Sequence, residues 1–344
     1  MAIYRHSARG KINMKNDLYP NVVNITNLPF EQQQFAQDVV QGLTKKQKTL
    51  SSKYFYDATG SKLFQKIMDL PDYYLTRAET EIFTYQKEEI ISGFCSAQPF
   101  NLVDLGAGDA TKTKILLRSL LQRQTNFTFV PLDISLDALQ ELQSNLALEL
   151  PQLPVVPLAG DYFKALAQLK RESGMRQVIF FLGSNIGNFP FAEIKIFLKK
   201  LCQFLQAGDQ LVIGFDLKKD PRLIRQAYDD AEGITAAFNF NLLRRINETF
   251  TGNFELNNFQ HFAEYNPISG EMRSYLISTQ DQEVTLQDLD FTLNLQAWEA
   301  IHTESSYKFS EAEIQVLAAE ADLKTQLIFT DKNHYFADVL FSVG

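Results

Sequence analysis

The sequence predicts an α/β fold built on a doubly wound, largely parallel sheet, and three observations carry that prediction. The stretch Asn101–Leu117, N-L-V-D-L-G-A-G-D-A-T-K-T-K-I-L-L, opens as a short apolar run suited to a buried strand. It turns at Gly106 and Gly108 and continues with apolar residues at helical spacing from Ile115. Strands near 101–105, 127–133, 153–158, 177–182 and 209–214 then alternate with helical segments, the pattern of parallel strands joined by right-handed crossovers. After Asp216 the alternation breaks. It resumes with a helix at 311–322 and two strands, K-T-Q-L-I-F-T and H-Y-F-A-D-V-L-F-S, that read as a closing hairpin, so the intervening residues are an insertion within the sheet domain.

Residues 1–24 are polar and basic without a sustained period and are expected to form a loosely held extension. Beyond Asn27, Phe35, Val39 and Leu43 share one helical face, which Gly42 and Lys45-Lys46 are expected to close. A turn at Asp57 to Ser61 precedes a short helix through Leu63, Phe64 and Ile67, which Pro71 ends. Thr76 is expected to cap the next helix in a capping box with Glu79, leaving Tyr56, Tyr73 and Tyr74 on connections. Within the insertion, a helix containing Tyr228-Asp229-Asp230 is followed by strand-like runs near 259–266, 271–279 and 290–304.

In a doubly wound sheet, ligands sit beyond the carboxyl ends of the strands, and the unusual residues fall there. Gly106 and Gly108 allow close backbone approach, and the following helix start offers free amides. The third glycine of a dinucleotide fingerprint is replaced by Ala110 or Thr111, which weakens a diphosphate reading, while Asp104 suits a ligand with positive charge nearby. Asp133 ends the second strand, where a carboxylate can accept both hydroxyls of a ribose. Gly160-Asp161-Tyr162 follow the third strand and F-L-G-S-N-I-G-N-F the fourth.

Composition narrows the function classes. With 344 residues, 45% hydrophobic and 22% charged, the chain can bury one large or two ordinary globular domains. A formal charge of −8 opposes a broad phosphate-binding surface, so nucleic acid is not an expected partner. Cys95 and Cys202 stand far apart and the histidines show no ligand spacing, which indicates neither a disulfide framework nor a metal site. The N-terminus lacks the apolar core of a signal peptide and no run reaches about 18 apolar residues, so no membrane partner and a cytoplasmic location are expected.

The glycine turn resembles the S-adenosylmethionine loop of class I methyltransferases. Several further pieces occur in order: Y-F-Y-D-A-T-G-S-K-L-F, L-P-D-Y-Y-L-T-R-A-E, L-G-A-G-D-A-T-K-T, F-L-G-S-N-I-G-N, A-Y-D-D-A-E-G-I-T-A-A-F-N, E-M-R and T-E-S-S-Y-K-F. Together they resemble the histidine-specific N-alpha methyltransferases of ergothioneine biosynthesis, over nearly the whole chain after residue 30. That resemblance implies a Rossmann-like S-adenosylmethionine-binding domain at 77–216 plus 309–344. It also implies a discontinuous α+β substrate-binding domain at 25–76 plus 217–308. Members of the family transfer three methyl groups in succession to the amino nitrogen of histidine, giving trimethylhistidine.

Carried over residue by residue, the resemblance implies that Gly106, Gly108 and Lys112 lie on the cofactor loop, Asp133 binds ribose, and Asp161 and Tyr162 contact adenine. Ala107 stands where relatives often carry serine, a loss of at most one hydrogen bond of about 1 kcal/mol. Asn188 and Tyr228 match positions that hold the substrate carboxylate. Tyr56 and Tyr73 line the site near the amine and imidazole, Glu304 and Ser306 read the ring, and Met272 packs near it. Tyr56, Tyr73 and Asn188 are the expected catalytic residues, with no dedicated base. A monomer acting on free L-histidine is expected. A prenylated tryptophan substrate is the competing chemistry, disfavoured because an indole offers one donor and no ring acceptor. An inactive cofactor-binding subunit is the competing class, disfavoured by the full set of tyrosines and Asn188.

Overall fold

The computed structural model describes residues 28–343, so the extension expected at 1–24 lies outside the described residues. Helix α1 (Phe30–Thr44) buries Phe35, Val39 and Leu43 as their spacing predicts. It runs through Gly42 to Thr44, since one glycine is tolerated in a helix whose apolar face is packed. After the short strand β1 (Lys48–Thr49), helix α2 (Ala58–Asp69) starts inside the expected turn. Asp57 is its N-cap, accepting from the Gly60 amide at 2.6 Å and from Asn241 Nδ2 at 2.9 Å.

Helix α3 (Tyr74–Tyr85) corrects the expected start. The capping box at Thr76 and Glu79 does not form, because the helix is already under way at Tyr74 and Glu79 turns into the core toward Lys112. Tyr74 is therefore helical, not on a connection. The same helix crosses the expected domain boundary at 76, with Leu75 in one hydrophobic cluster and Ala78 and Ile82 in another.

From α4 (Lys87–Phe94) the chain enters the main sheet. Strands β2 (Phe100–Leu105), β3 (Phe127–Asp133), β4 (Leu158–Ala159), β5 (Arg176–Phe181) and β6 (Gln210–Asp216) alternate with α5 (Thr113–Gln122), α6 (Leu136–Glu149), α7 (Tyr162–Ser173) and α8 (Phe191–Cys202). The third strand is shorter than expected: ahead of Leu158 it pairs only through an isolated bridge from Val155 to Phe129. Pro151, Pro154 and Pro157 remove the ladder donors there.

Helix α9 (Pro221–Gln226) ends before Tyr228, contrary to expectation. Asp230 instead accepts from the amides of Ile234 and Thr235 at the start of α10 (Ile234–Phe250), so the Tyr228-Asp229-Asp230 segment becomes the entry to that helix. Strands β7 (Phe259–Asn266) and β8 (Glu271–Ser278) match their expected runs. The run at 290–304 divides. After β9 (Gln282–Leu286), β10 (Phe291–Leu295) pairs back onto it, a turn with Trp298 at φ +70° intervenes, and β11 (Ala300–Tyr307) joins β8. Helix α11 (Glu311–Glu320) starts with a Ser310–Glu313 capping box. β12 (Leu323–Thr330) and β13 (Phe336–Val343) form the closing hairpin.

The seven-stranded sheet has the order β12-β13-β6-β5-β2-β3-β4, parallel from β6 to β4, with β13 antiparallel to β6. The order in which strands are added reverses between β2 and β5, which opens a crevice at their carboxyl ends. A four-stranded sheet, β1-β11-β8-β7, packs against α10. Fully buried phenylalanines such as Phe100, Phe129, Phe180 and Phe215 fill the main core, each worth roughly 1.5–3 kcal/mol of burial. Among the described residues no helix is long and apolar enough to cross a membrane.

Candidate active site

Where β11 of the small sheet meets the loops after β5 and β6, a cleft opens. Six of the seven expected substrate residues line it: Tyr56, Tyr73, Asn188, Tyr228, Glu304 and Ser306. Met272 does not. It is buried on β8, paired in register with Ser306, beneath the cleft wall.

Local structure explains the convergence. Tyr56 follows a 3₁₀ turn (Ser52–Phe55) braced by the Asp57 cap of α2, and Tyr73 is the residue from which α3 starts. Asn188 ends a 3₁₀ turn (Asn185–Asn188) after β5 that lies against β11. Gly187 permits this approach, since a Cβ there would stand 2.6 Å from the Tyr307 carbonyl oxygen. On β11 the register shifts between His302 and Glu304, leaving Thr303 as an extra residue. Ile301 and Thr303 are buried before the shift, with Thr303 donating to Asn239 of α10 at 2.6 Å, and Glu304 and Ser306 line the cleft after it. The bulge thus aims both ring-reading candidates inward.

The residues expected to bind the cofactor gather at the adjoining strand ends. Gly106 and Gly108 have φ of +74° and +52°, and the Gly108 amide donates to Asp133 Oδ2 at 3.1 Å. A Cβ on Gly108 would meet nothing within 4 Å, whereas one on Gly106 would lie 3.0 Å from Tyr162 Oη and 3.4 Å from Asn185 Nδ2. The loop is therefore open to a ligand on one side and flanked by polar groups on the other. Asp161 caps α7, and both bonds, from the amides of Phe163 and Lys164, fall on Oδ1. Asp104 is buried and accepts from Thr113 Oγ1 at 2.6 Å, binding strand to helix instead of facing a ligand. Burial, partly opposed by that bond, pushes it up to about 6.

A sequence model of the family described as histidine-specific, S-adenosylmethionine-dependent methyltransferase matches residues 35–343. The chain belongs to this family. The histidine N-alpha-methyltransferases of Mycolicibacterium smegmatis and Mycobacterium tuberculosis are 36% and 37% identical to it, each covering 86% of this chain and 90% of the relative. Ergothioneine biosynthesis protein 1 of Schizosaccharomyces pombe is 30% identical over 80% of this chain and 36% of that longer protein. The enzyme is thus a methyltransferase with S-adenosylmethionine as cofactor, and the open glycine turn beside the Asp133 carboxylate fits that ligand.

The electrostatics of this methyltransferase include residues that sequence reasoning missed. Burial first, then neighbouring charges and hydroxyls, raises the Tyr56 and Tyr73 phenols well above their ordinary value, so both stay neutral. Glu304 is enclosed except toward the cleft and no described residue hydrogen-bonds to its carboxyl. Burial pushes it up to about 7, opposed only by the charge of Lys308. Behind the wall, fully buried Lys308 and Asp216 pair at 2.9 Å. Asp216 also binds Lys219 and accepts from Tyr74 Oη at 2.8 Å. Lys112 lies between β2 and α5, and its ammonium is committed to Glu79. In sequence Glu79 reads as half of a capping box, and Asp216 and Lys308 receive no role. A usable signal was the parity of Lys308, two residues beyond Ser306 on the same strand face.

Proposed function

We propose that this enzyme transfers methyl groups from S-adenosylmethionine to the α-amino nitrogen of L-histidine, up to three in succession, giving trimethylhistidine. One observation carries the substrate: Glu304 presents a carboxyl that no described residue satisfies, beside the Ser306 hydroxyl, in a cleft also lined by Tyr56, Tyr73, Asn188 and Tyr228. A buried acceptor of this kind calls for an N–H donor, and the neighbouring hydroxyl can bond a second ring nitrogen. We assign residues 25–76 plus 217–308 to substrate binding and the seven-stranded sheet to the cofactor.

Gly106, Gly108, Asp133, Asp161 and Tyr162 hold the cofactor, and Lys112 braces its loop through Glu79. Bound there, S-adenosylmethionine supplies an electrophilic methyl, which passes to the amine nitrogen as the S–C bond breaks and its electrons stay on sulfur. Asn188 and Tyr228 line the side of the cleft assigned to the substrate carboxylate. The unprotonated fraction of the α-amine supplies the free lone pair without a dedicated base, and its proton leaves to water. Tyr56 and Tyr73, kept neutral, offer ring faces and hydroxyl oxygens to the growing cation, a contact worth about 1–2 kcal/mol. Holding the amine in line supplies the larger part, up to roughly 7–11 kcal/mol.

Mass spectrometry of histidine incubated with enzyme and S-adenosylmethionine tests this reading. Products heavier by one, two and three methyl groups are expected. Methylation of a tryptophan derivative with histidine untouched would overturn the substrate.

A further inference from the structure

The hydrogen bonds behind the cleft wall can be counted. Lys308 is fully buried and its three N–H groups are all placed: Asp216 Oδ2 at 2.9 Å, Tyr228 Oη at 2.7 Å and Ser306 Oγ at 2.9 Å. Tyr228 Oη in turn donates to Ser306 Oγ at 2.9 Å. A serine hydroxyl has two lone pairs and one proton. With the Tyr228 proton on Ser306, both lone pairs of Ser306 are filled, one by the ammonium and one by the phenol, and only its proton is left to offer to the cleft. If the Tyr228 proton turns toward a ligand carboxylate, Lys308 still occupies one lone pair, and its charge still repels an approaching N–H.

We propose that Lys308 is a positioning residue that occupies a lone pair of Ser306, turns its hydroxyl toward donation and so fixes the form in which the substrate ring is read. The inference rests on the histidine reading above. Glu304 accepts and Ser306 donates, so the pair matches a ring with one N–H and one bare nitrogen: neutral imidazole in a single tautomer. Imidazolium, with two N–H groups, meets a donor at Ser306 and the buried ammonium behind it. A hydroxyl without Lys308 would accept from either form, so the ammonium is what removes the ambiguity.

The test is a double-mutant cycle read by calorimetric titration of histidine into protein saturated with S-adenosylhomocysteine. In Lys308→Met, Asp216 keeps Lys219 and Tyr74, so its charge stays paired. Histidine affinity is expected to fall about tenfold or more in Lys308→Met, with S-adenosylhomocysteine affinity unchanged. In a Ser306→Ala background the same substitution should cost less than about threefold. Equal losses in both backgrounds overturn the proposal, because Lys308 would then not act through Ser306. The two pyrrole isosteres of histidine, each with one ring N–H and no bare nitrogen, give a measurement on the unmodified protein. Both should bind roughly tenfold weaker than histidine, and one binding as tightly overturns the proposal even if Lys308→Met does not fold. Failure of the unmodified protein to bind histidine at all sinks the substrate reading and this inference with it. Normal binding with an additive cycle sinks the inference alone.

Discussion

Lys112, on the glycine loop after β2, is ion-paired to Glu79 of α3, whose other oxygen accepts from the Gly183 amide at 2.7 Å. One buried carboxylate thus ties the glycine loop after β2 to the loop after β5 that carries Asn185 and Asn188. Burial works against the Lys112 ammonium, yet the adjacent Glu79 charge holds its pKa above the ordinary value. Breaking a buried pair by removing one partner costs about 3–5 kcal/mol, because the other charge is left uncompensated. Glu79→Gln should lower the melting temperature and weaken S-adenosylhomocysteine binding together. A lower melting temperature with unchanged affinity, by calorimetry, would mean that the pair serves only the fold.

Asp133 offers a cleaner handle on the cofactor. It ends β3 with one oxygen on the Gly108 amide and the other on the Ser135 amide at 3.0 Å, so its carboxylate is fixed before any ligand arrives. Charge-assisted bonds to ribose hydroxyls are worth about 1.5–3 kcal/mol each. Asp133→Ala should raise the S-adenosylmethionine dissociation constant at least tenfold at that value, while Glu304 and Ser306 keep their geometry. An unchanged constant would move the ribose site elsewhere.

The seven-stranded sheet was legible because its signals are local: a strand, a glycine turn and a helix start stand within a few residues of one another. The substrate half was legible only as motifs. Two-residue spacing of Glu304 and Ser306 predicts a shared face, but which face depends on the bulge at Thr303, and nothing in T-E-S-S-Y-K-F announces an extra residue. Glu79 was misread for a related reason. A threonine followed three residues later by glutamate fits a capping box, and the competing demand, a partner for buried Lys112, comes from residues far along the chain. Long-range charge pairing is invisible to local pattern reading, and Asp216 with its two lysines was missed on the same ground.

Gly187 tests whether the approach of the Asn185–Asn188 turn to β11 matters for the chemistry. A methyl group at this position would lie 2.6 Å from the Tyr307 carbonyl oxygen, so turn or strand must move. Overpacking of this kind costs about 1–3 kcal/mol. Gly187→Ala should raise the KM for histidine more than that for S-adenosylmethionine, because Asn188 and Glu304 stand on the two elements pushed apart. Equal increases in steady-state kinetics would argue against that geometry.

The pH dependence of histidine binding should report on Glu304. Its folded pKa of about 7 stands above the ~4.3 of an unfolded glutamate, with burial as the cause. The sign follows. In the free protein this group favours folding fully below pH ~4.3, and that contribution is lost as pH rises through 7. The melting temperature of the wild type, relative to Glu304→Gln, should therefore fall between about pH 5 and 8. Binding runs the opposite way. Below pH 7 the group is a protonated acid without the charge that strengthens a bond from the ring N–H; above pH 7 it is a carboxylate. Ring titration near pH ~6.5 is common to both proteins and cancels in their ratio. The ratio of histidine dissociation constants, variant over wild type, should be small at pH 6, rise through pH 7 and level off at roughly tenfold or more. Glu304→Ala should likewise cost histidine roughly tenfold while costing phenylalanine far less, because an apolar ring never used the carboxylate. A ratio that stays flat with pH, together with equal losses for both amino acids, would show that Glu304 supports the fold and does not read the ring.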